Sequence, residues 1–371
     1  MKMMINLANR HILDLKTYQP GKPIEEVKRQ LKLKRVIKLA SNENSFGVSK
    51  KAIRAVKKAL PRVNFYPDSN CFYLREKLAK KLNLRGENLI FGNGSDEIIL
   101  MALRAFVAPG EEVIVARPTF LIYEQASKVA GAKVITVPMR GFRYDLKKMK
   151  EKITSKTKMI FIANPDNPTG SYVTKTEVNN FFKGLPRHVL VYFDEAYYEF
   201  AANIDYPQTQ RLIKTISNII ITRSFSKAYG LSGLRIGYGI APELIISTLN
   251  KVREPFNVNS LAQVAAQAAL DDQDFIRKTL KLTKIGRRFL CAAFKELGLF
   301  YVPSAANFVL VNVGRDSTKI YNALLNKGII VRDMKPWGLE RFIRVTIGQE
   351  KQNKYFVRVL REVLGVTSKV S

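Results

Sequence analysis

The stretch "NIIITRSFSKAYGLSGLRIGYGI", residues 218–240, decides the fold that we predict for this chain. It begins with an apolar run, which is typical of a strand buried on both faces of a sheet. Ser224, Ser226 and Lys227 follow the run, and Arg235 comes a few residues later. We expect the glycines between Lys227 and Arg235 to turn the chain back, so that the arginine returns to the serines.

Apolar runs of the same kind recur through the middle of the chain, and segments of helical character separate most of them. The runs lie at 111–116, 133–138, 158–163, 188–193, 218–222 and 234–240. Their alternation with helices predicts an α/β fold, with helices covering a mainly parallel sheet. Ligands bind such sheets at the carboxyl ends of the strands.

The last third of the chain has a different pattern of long helices and short strands. The helices are predicted at 260–299, 317–327 and 350–364, and the strands at 307–313, 328–333 and 341–348. This pattern predicts a second, smaller α+β domain. We place the large domain at 45–254, and the small domain with its N-terminal arm at 1–44 and 255–371.

The composition, 46% hydrophobic and 25% charged, is that of a soluble globular protein. We expect neither a membrane anchor nor a secretion signal, and we place the protein in the cytoplasm. Cys71 and Cys291 lack metal or redox spacing, and His11 and His188 are the only histidines. We therefore expect reduced cysteines, no metal site and no Ser-His-Asp catalysis.

The net charge is +31, from 62 basic and 31 acidic residues. Such a field attracts anionic metabolites and, in principle, nucleic acid. The basic residues of 22–62 lie at helical spacings, however, and aromatic-rich RNA-binding motifs and zinc fingers are absent from the sequence. We therefore expect solvated helix faces and small anionic substrates, and we do not expect nucleic acid as a partner.

Polar residues follow several of the apolar runs. Asp194 comes directly after the run 188–193, and taken alone its position favours a helix cap or an ion-pair partner over a functional role. With Tyr197 and Lys227 at neighbouring strand ends, it suits a pyridine aldehyde cofactor, because a lysine amine can bind the aldehyde and a carboxylate can keep the ring nitrogen protonated.

A phosphate on such a cofactor has a candidate cradle in two parts of the sequence. "FGNGSDEIILMAL" at 91–103 places Ser95 and Asp96 at the start of a helix, whose first amides can face an anion. Ser224, Ser226 and Arg235 add hydroxyl and guanidinium donors. The sequence has no Walker-type loop, which disfavours a nucleoside triphosphatase.

The motifs "NPDNPTG", "DEAYYEF" and "TRSFSKAYGLSGLRIGYG" resemble the fold-type I pyridoxal-phosphate aminotransferases. "SNEN", "FYPD", "GNGSDEII", "REPFNVN" and "RVTIG" resemble the histidinol-phosphate branch of that family. The resemblance covers nearly the whole chain. It implies a seven-stranded-type sheet, pyridoxal 5'-phosphate as the cofactor and a homodimer.

The resemblance also implies the roles of individual residues around the cofactor ring. Lys227 corresponds to the Schiff-base lysine and Asp194 to the partner of the ring nitrogen. Asn167 and Tyr197 correspond to the donors to the ring oxygen. Phe120 corresponds to the aromatic residue that stacks on the ring.

Further residues are implied to hold phosphate or substrate. Tyr66 resembles a tyrosine that reaches the cofactor phosphate from the partner subunit. Arg344 resembles the arginine that pairs with the substrate carboxylate, Arg332 a second arginine for the substrate phosphate, and Tyr18 a tyrosine that folds over the substrate. The phosphate cup of the cofactor is implied to consist of Ser95, Asp96, Ser224, Ser226 and Arg235.

The activity implied is transfer of an amino group between L-glutamate and imidazole acetol phosphate, giving 2-oxoglutarate and histidinol phosphate, in histidine biosynthesis. An aromatic or broad-specificity aminotransferase and a threonine-phosphate decarboxylase remain alternatives. A regulator built on an aminotransferase-like domain is the alternative that is not an enzyme, but only about forty residues precede the first motif. Ser45 and Asp166 depart from the family pattern, which usually has proline and asparagine there.

Overall fold

The computed structural model describes residues 7, 9–13, 15, 17, 20–201 and 205–366. Within them the strands are Ile37–Lys38 (β1), Leu89–Gly92 (β2), Glu112–Arg117 (β3), Lys133–Pro138 (β4), Thr157–Ala163 (β5), Leu190–Asp194 (β6), Ile219–Ser224 (β7), Gly237–Ile240 (β8), Tyr301–Val302 (β9), Phe308–Asn312 (β10), Ile329–Ile330 (β11), Arg332–Asp333 (β12) and Phe342–Thr346 (β13). The α-helices are Arg10–Leu13 (α1), Ile24–Leu31 (α2), Lys50–Ala59 (α3), Phe72–Leu82 (α4), Ser95–Phe106 (α5), Leu121–Val129 (α6), Leu146–Glu151 (α7), Lys175–Phe182 (α8), Glu243–Asn250 (α9), Ser260–Leu270 (α10), Gln273–Glu296 (α11), Ser317–Asn326 (α12) and Glu350–Leu364 (α13).

A seven-stranded sheet organises the large part of the molecule, with strand order β2-β8-β7-β6-β5-β3-β4. The five strands from β7 to β4 in that order are parallel, and β8 is antiparallel to both of its neighbours. The predicted α/β fold with a mainly parallel sheet is therefore confirmed. All six apolar runs form strands of this sheet, but β2 was not among them, because its four residues are too few to show a period.

The centre of the sheet is buried because its strands are apolar on both faces. Residues 159–163, 191–193 and 219–221 are almost fully buried. Helix α5 contacts both α6 and α9, and α7 contacts α8. These helices contribute buried apolar residues to the same core as the strands.

The predicted helix at 260–299 is two helices, α10 and α11, and the break has a clear local cause. Asp272 leaves the helical conformation, and its side chain caps α11 by accepting a hydrogen bond from the backbone N–H of Phe275 at 3.3 Å. The other carboxylate oxygen of Asp272 accepts a hydrogen bond from the Ser49 hydroxyl at 2.6 Å. This bond ties the start of α11 to the start of α3.

A second, antiparallel sheet with order β12-β13-β10-β9 lies in the C-terminal third. Helix α13 packs against α11 and α12, α11 and α12 contact strands of this sheet, and all three helices contribute to its core. The smaller α+β unit is therefore present, although residues 262–276 of α10 and α11 still contribute to the core of the large sheet. The domain boundaries at 44/45 and 254/255 stay a prediction. Among the described residues, no helix is long and apolar enough to cross a bilayer.

Candidate active site

The carboxyl ends of the parallel strands bring the predicted site residues together. Ala163, Asp194 and Thr222 lie side by side at the ends of β5, β6 and β7. A cavity of about 400 Å³ opens at this edge, a volume suited to a small cofactor and substrate. Its lining includes the predicted residues Ser95, Asp96, Phe120, Asn167, Asp194, Tyr197, Ser224, Ser226, Lys227, Arg235, Arg332 and Arg344.

Asp194 presents a buried carboxylate to the cavity. The hydroxyl of Tyr123 donates to its Oδ2 at 2.7 Å, and the backbone N–H of Ala196 donates to its Oδ1 at 3.0 Å. Burial raises the pKa of Asp194 to about 6, while the Tyr123 hydrogen bond acts in the opposite direction. The carboxylate is therefore held in place and would be stabilised by a cationic partner in the cavity.

Lys227 lies just beyond the end of β7 and lines the cavity. Its Nζ is 3.4 Å from the carbonyl oxygen of Ser41 and 5.6 Å from the centroid of the Tyr197 ring. The Tyr197 hydroxyl accepts a hydrogen bond from the Asn42 side-chain amide at 2.9 Å. Since the phenol oxygen accepts from Asn42, its own proton is oriented for donation elsewhere. The position of Asn42 inside the "SNEN" motif was the only sequence signal for this contact.

The turn that follows Lys227 brings the residues of the predicted anion cradle together. The chain reverses after a 3₁₀ turn at Ser232–Leu234, and β8 pairs antiparallel with β7, so that Ser224 lies opposite Gly237. Arg235 adopts a left-handed conformation with φ of 57° and lies 3.5 Å from the carboxylate of Asp96. The serines, the arginine and the start of α5 thereby meet at one end of the cavity.

Two glycines keep this cradle open. A Cβ at Gly94 would lie 2.4 Å from Nη2 of Arg235, and Gly94 has a φ of +80°. A Cβ at Gly237 would lie 2.6 Å from the backbone nitrogen of Ser95. Any other residue at either position would close the space between the arginine and the first amides of α5.

Arg344 enters the cavity from β13 of the small sheet. It is buried, and its guanidinium donates to the side-chain oxygen of Asn167 and to the carbonyl oxygen of Ala40, the latter at 2.8 Å. The bond to Arg344 fixes the Asn167 amide, so its Nδ2 donor points the other way. One hydrogen bond thus orients both the arginine predicted to bind substrate and the asparagine predicted to bind the cofactor.

Arg332 lies directly opposite Arg344 in the antiparallel pair of β12 and β13. Its guanidinium carbon is 5.1 Å from the ring centroid of Trp337, and both residues line the cavity. Two like charges directly opposite each other on neighbouring strands repel. An anion between them would therefore be bound favourably.

Two predicted site residues lie outside this cavity or outside the described chain. Tyr66 is 82% exposed, and its ring stacks on Phe256 with centroids 4.7 Å apart. Tyr18 lies outside the described residues. Sequence reasoning missed Tyr123 and Trp337, because an isolated aromatic residue gives no signal of what its polar atom will contact.

The two departures from the family pattern both have hydrogen-bond partners. Ser45 donates to the carbonyl oxygen of Ile347 at 3.0 Å. Asp166 is fully buried beside the cavity and accepts hydrogen bonds from the hydroxyls of Thr119 and Thr169 at 2.7 and 2.8 Å. Neither side chain lines the cavity.

Comparisons with known proteins agree with this geometry. The family model of aminotransferase class I and II matches residues 34–360. A histidinol-phosphate aminotransferase of Moorella thermoacetica is 50% identical over 95% of this chain and 92% of its own length. A histidinol-phosphate aminotransferase of Caldicellulosiruptor saccharolyticus is 46% identical over 95% of this chain and 99% of its own.

A solved structure of a similar protein has the same fold. The histidinol-phosphate aminotransferase of Sinorhizobium meliloti, determined in complex with pyridoxal-5'-phosphate, superposes with a TM-score of 0.89 at 29% identity, covering 96% of this chain and 97% of that one. With the sheet order, the cavity and the family match over most of its length, the chain belongs to the class I and II aminotransferases.

Proposed function

We propose that this enzyme uses pyridoxal 5'-phosphate to transfer an amino group between L-glutamate and imidazole acetol phosphate, giving 2-oxoglutarate and histidinol phosphate, and catalyses the reverse reaction. The observation that carries the proposal is one cavity that contains a lysine, a buried carboxylate, an anion cradle and two arginines. The names of the similar proteins support the choice of substrate.

The residues of the cavity fit the cofactor. The cradle between Gly94, Gly237 and Arg235 has the donors and the open space that a phosphate requires. Asp194 is held as a buried carboxylate where a ring nitrogen would need a negative partner. When bound, the cofactor supplies an electron-withdrawing ring that stabilises negative charge on the substrate carbon.

The chain itself binds and orients the reacting groups and moves protons. The amine of Lys227 removes the proton from the amino-bearing carbon of the substrate and later returns a proton. Tyr197 and Asn167 orient the ring oxygen through their hydroxyl and amide donors. Arg344 binds the carboxylate of glutamate and, in the other half-reaction, contributes to binding the phosphate, because its planar fork suits both anions.

The direct test is optical and chemical. The purified protein should be yellow, and borohydride should fix the cofactor covalently to one lysine, which peptide mass mapping should identify as Lys227. A Lys227→Ala protein that retained full turnover would overturn the proposed mechanism.

The substrate is tested separately. Histidinol phosphate should be transaminated with 2-oxoglutarate far faster than phenylalanine, and threonine phosphate should not be decarboxylated. If histidinol phosphate gave no product while one of the other two did, the assignment of substrate would be wrong and the cofactor assignment would stand.

We also propose a homodimer in which Tyr66 completes the partner's site. Tyr66 does not line the cavity of its own chain. Exposed apolar residues flank it in the sequence, and exposed Phe256 stacks on its ring, a feature of interfaces. The exposed apolar residues are Leu60, Val63, Phe65, Phe72, Tyr73 and Phe256.

Complementation between two impaired variants tests this arrangement. Lys227→Ala and Tyr66→Ala proteins are unfolded together and refolded as a mixture. If Tyr66 acts across the interface, each mixed dimer contains one intact site, and activity should rise well above that of either variant alone. No gain above the separate variants would show that Tyr66 does not complete the partner's site.

A further inference from the structure

Trp337 is the only tryptophan of the chain and occupies a buried position in the cavity wall. It ends the 3₁₀ turn Lys335–Trp337 between β12 and β13. Its ring packs in a small apolar cluster with Val302, Leu310 and Met334. The family motifs that define the cofactor site do not include it.

The indole is fixed at its polar edge as well. Its Nε1 donates a hydrogen bond to the carbonyl oxygen of Thr119 at 2.9 Å. Thr119 directly precedes Phe120, which lines the cavity from the large sheet. The bond therefore connects the strand pair that bears Arg332 to the loop that bears Phe120, and the ring cannot rotate without losing it.

The face of this fixed ring lies against Arg332, with the guanidinium carbon 5.1 Å from the ring centroid. An aromatic face orients the plane of a guanidinium through a cation–π contact, so the fixed indole is suited to set the orientation of Arg332.

We propose that Trp337 is a positioning residue that holds Arg332 for the phosphate group of the amino substrate, and thereby determines the preference for phosphorylated substrates. The proposal rests on the proposed function in one respect, that the substrate carries a phosphate. Arg344 is oriented by its hydrogen bonds to Asn167 and Ala40.

Steady-state kinetics of two variants separate positioning from general stability. In Trp337→Leu the KM for histidinol phosphate should rise about tenfold, the value expected for loss of a partly desolvated cation–π contact, while the KM for 2-oxoglutarate and kcat change little. Trp337→Phe keeps an aromatic face and should recover much of the affinity. Equal increases in both KM values, or an unchanged KM for histidinol phosphate in a folded Trp337→Leu protein, would overturn the proposal.

The fluorescence of this single tryptophan gives a readout that does not depend on turnover. Titration of the holoenzyme with inorganic phosphate should change the emission of Trp337, and Arg332→Gln should weaken the apparent affinity at least about tenfold. Arg358→Gln is the matched control, since it removes the same charge from a stack on Tyr355 at 5.1 Å on the exposed side of α13.

The outcomes distinguish this inference from the proposed function. Failure to transaminate histidinol phosphate would contradict the proposed substrate, whereas a phosphate response that requires Arg332 would still support the anion site. A wild-type protein whose emission does not respond to phosphate, or in which Arg358→Gln has the same effect as Arg332→Gln, would overturn the role of Trp337.

Discussion

Asp194 and Asp166 are two buried aspartates beside the same cavity, and they differ in what surrounds them. In both, burial raises the pKa to about 6. Asp194 faces the cavity and is held by Tyr123 and a backbone N–H. Asp166 lies behind the wall, where its carboxylate accepts hydrogen bonds from Thr119 and Thr169. A raised pKa therefore indicates burial, and only access from the cavity separates a reactive carboxylate from a structural one.

The largest expected difference is in catalysis. Asp194→Ala removes the charge that faces the cofactor site, so the single-turnover rate with glutamate should fall by roughly a hundredfold to a thousandfold. Asp166→Asn should leave that rate close to wild type, because its side chain does not reach the cavity. Rapid-mixing kinetics measure both. Equal losses of rate in the two variants would show that access from the cavity does not distinguish the two aspartates.

The next-largest effect is on how the free energy of unfolding changes with pH. Because the folded pKa of Asp166 lies above its unfolded value, the folded state binds the proton more tightly, and this contribution to stability is lost as the pH rises through about 6. Asp166→Asn removes that dependence. Relative to wild type, its free energy of unfolding should therefore increase by about 2 kcal/mol between pH 4 and pH 7.5.

Denaturant unfolding of the two proteins without cofactor at each pH measures this difference. An asparagine can accept from Thr169 through its oxygen and donate to the hydroxyl of Thr119, so the variant should stay folded. A constant difference between the proteins across the pH range would show that Asp166 does not titrate in this window.

A smaller effect tests how Asp194 is held. Tyr123→Phe removes the hydroxyl that donates to Asp194, which should lower the rate about tenfold, as expected for a hydrogen bond to a charged group. The pKa of Asp194 should rise further without this donor, so the acid limb of the pH–rate profile should move to higher pH. A slower enzyme with an unchanged profile would assign Tyr123 to packing alone.

The smallest expected effect is at Thr119. Thr119→Val removes one donor to the Asp166 carboxylate and should lower the free energy of unfolding by about 1–2 kcal/mol at pH 7.5. The loss should be smaller at pH 4, where the protonated carboxyl needs fewer donors. Thermal unfolding at pH 7.5 and at pH 4 measures this loss of stability. An equal loss at the two pH values would mean that the Thr119 hydroxyl stabilises the protein through another contact.

The chemical residues of the site could be predicted from the sequence because each lies at a strand end or in a motif. Lys227, Asp194 and Arg235 come at fixed distances from apolar runs, and parallel strands bring such positions together. Tyr123 and Trp337 could not be predicted in the same way. Their ring atoms fit any apolar pattern, and only packing determines that a hydroxyl or an indole N–H meets a polar partner.

The helix break at Asp272 could not be predicted from the local pattern either. The apolar spacing of 260–299 continues across the break, and it is the capping carboxylate and its bond to Ser49 that end one helix and start the next. The short strand β2 was missed because its pairing with β8 depends on a partner distant in the sequence.

The sequence alone determined the α/β architecture, the lysine and carboxylate at the strand ends and the turn between Lys227 and Arg235, because these depend on local period and on the allowed backbone conformations. The tertiary structure decided which buried aspartate faces the cavity, which aromatic residues contact Asp194 and Arg332, and that Tyr66 does not line the cavity of its own chain. Those properties depend on distances between residues far apart in the chain, which no local pattern encodes.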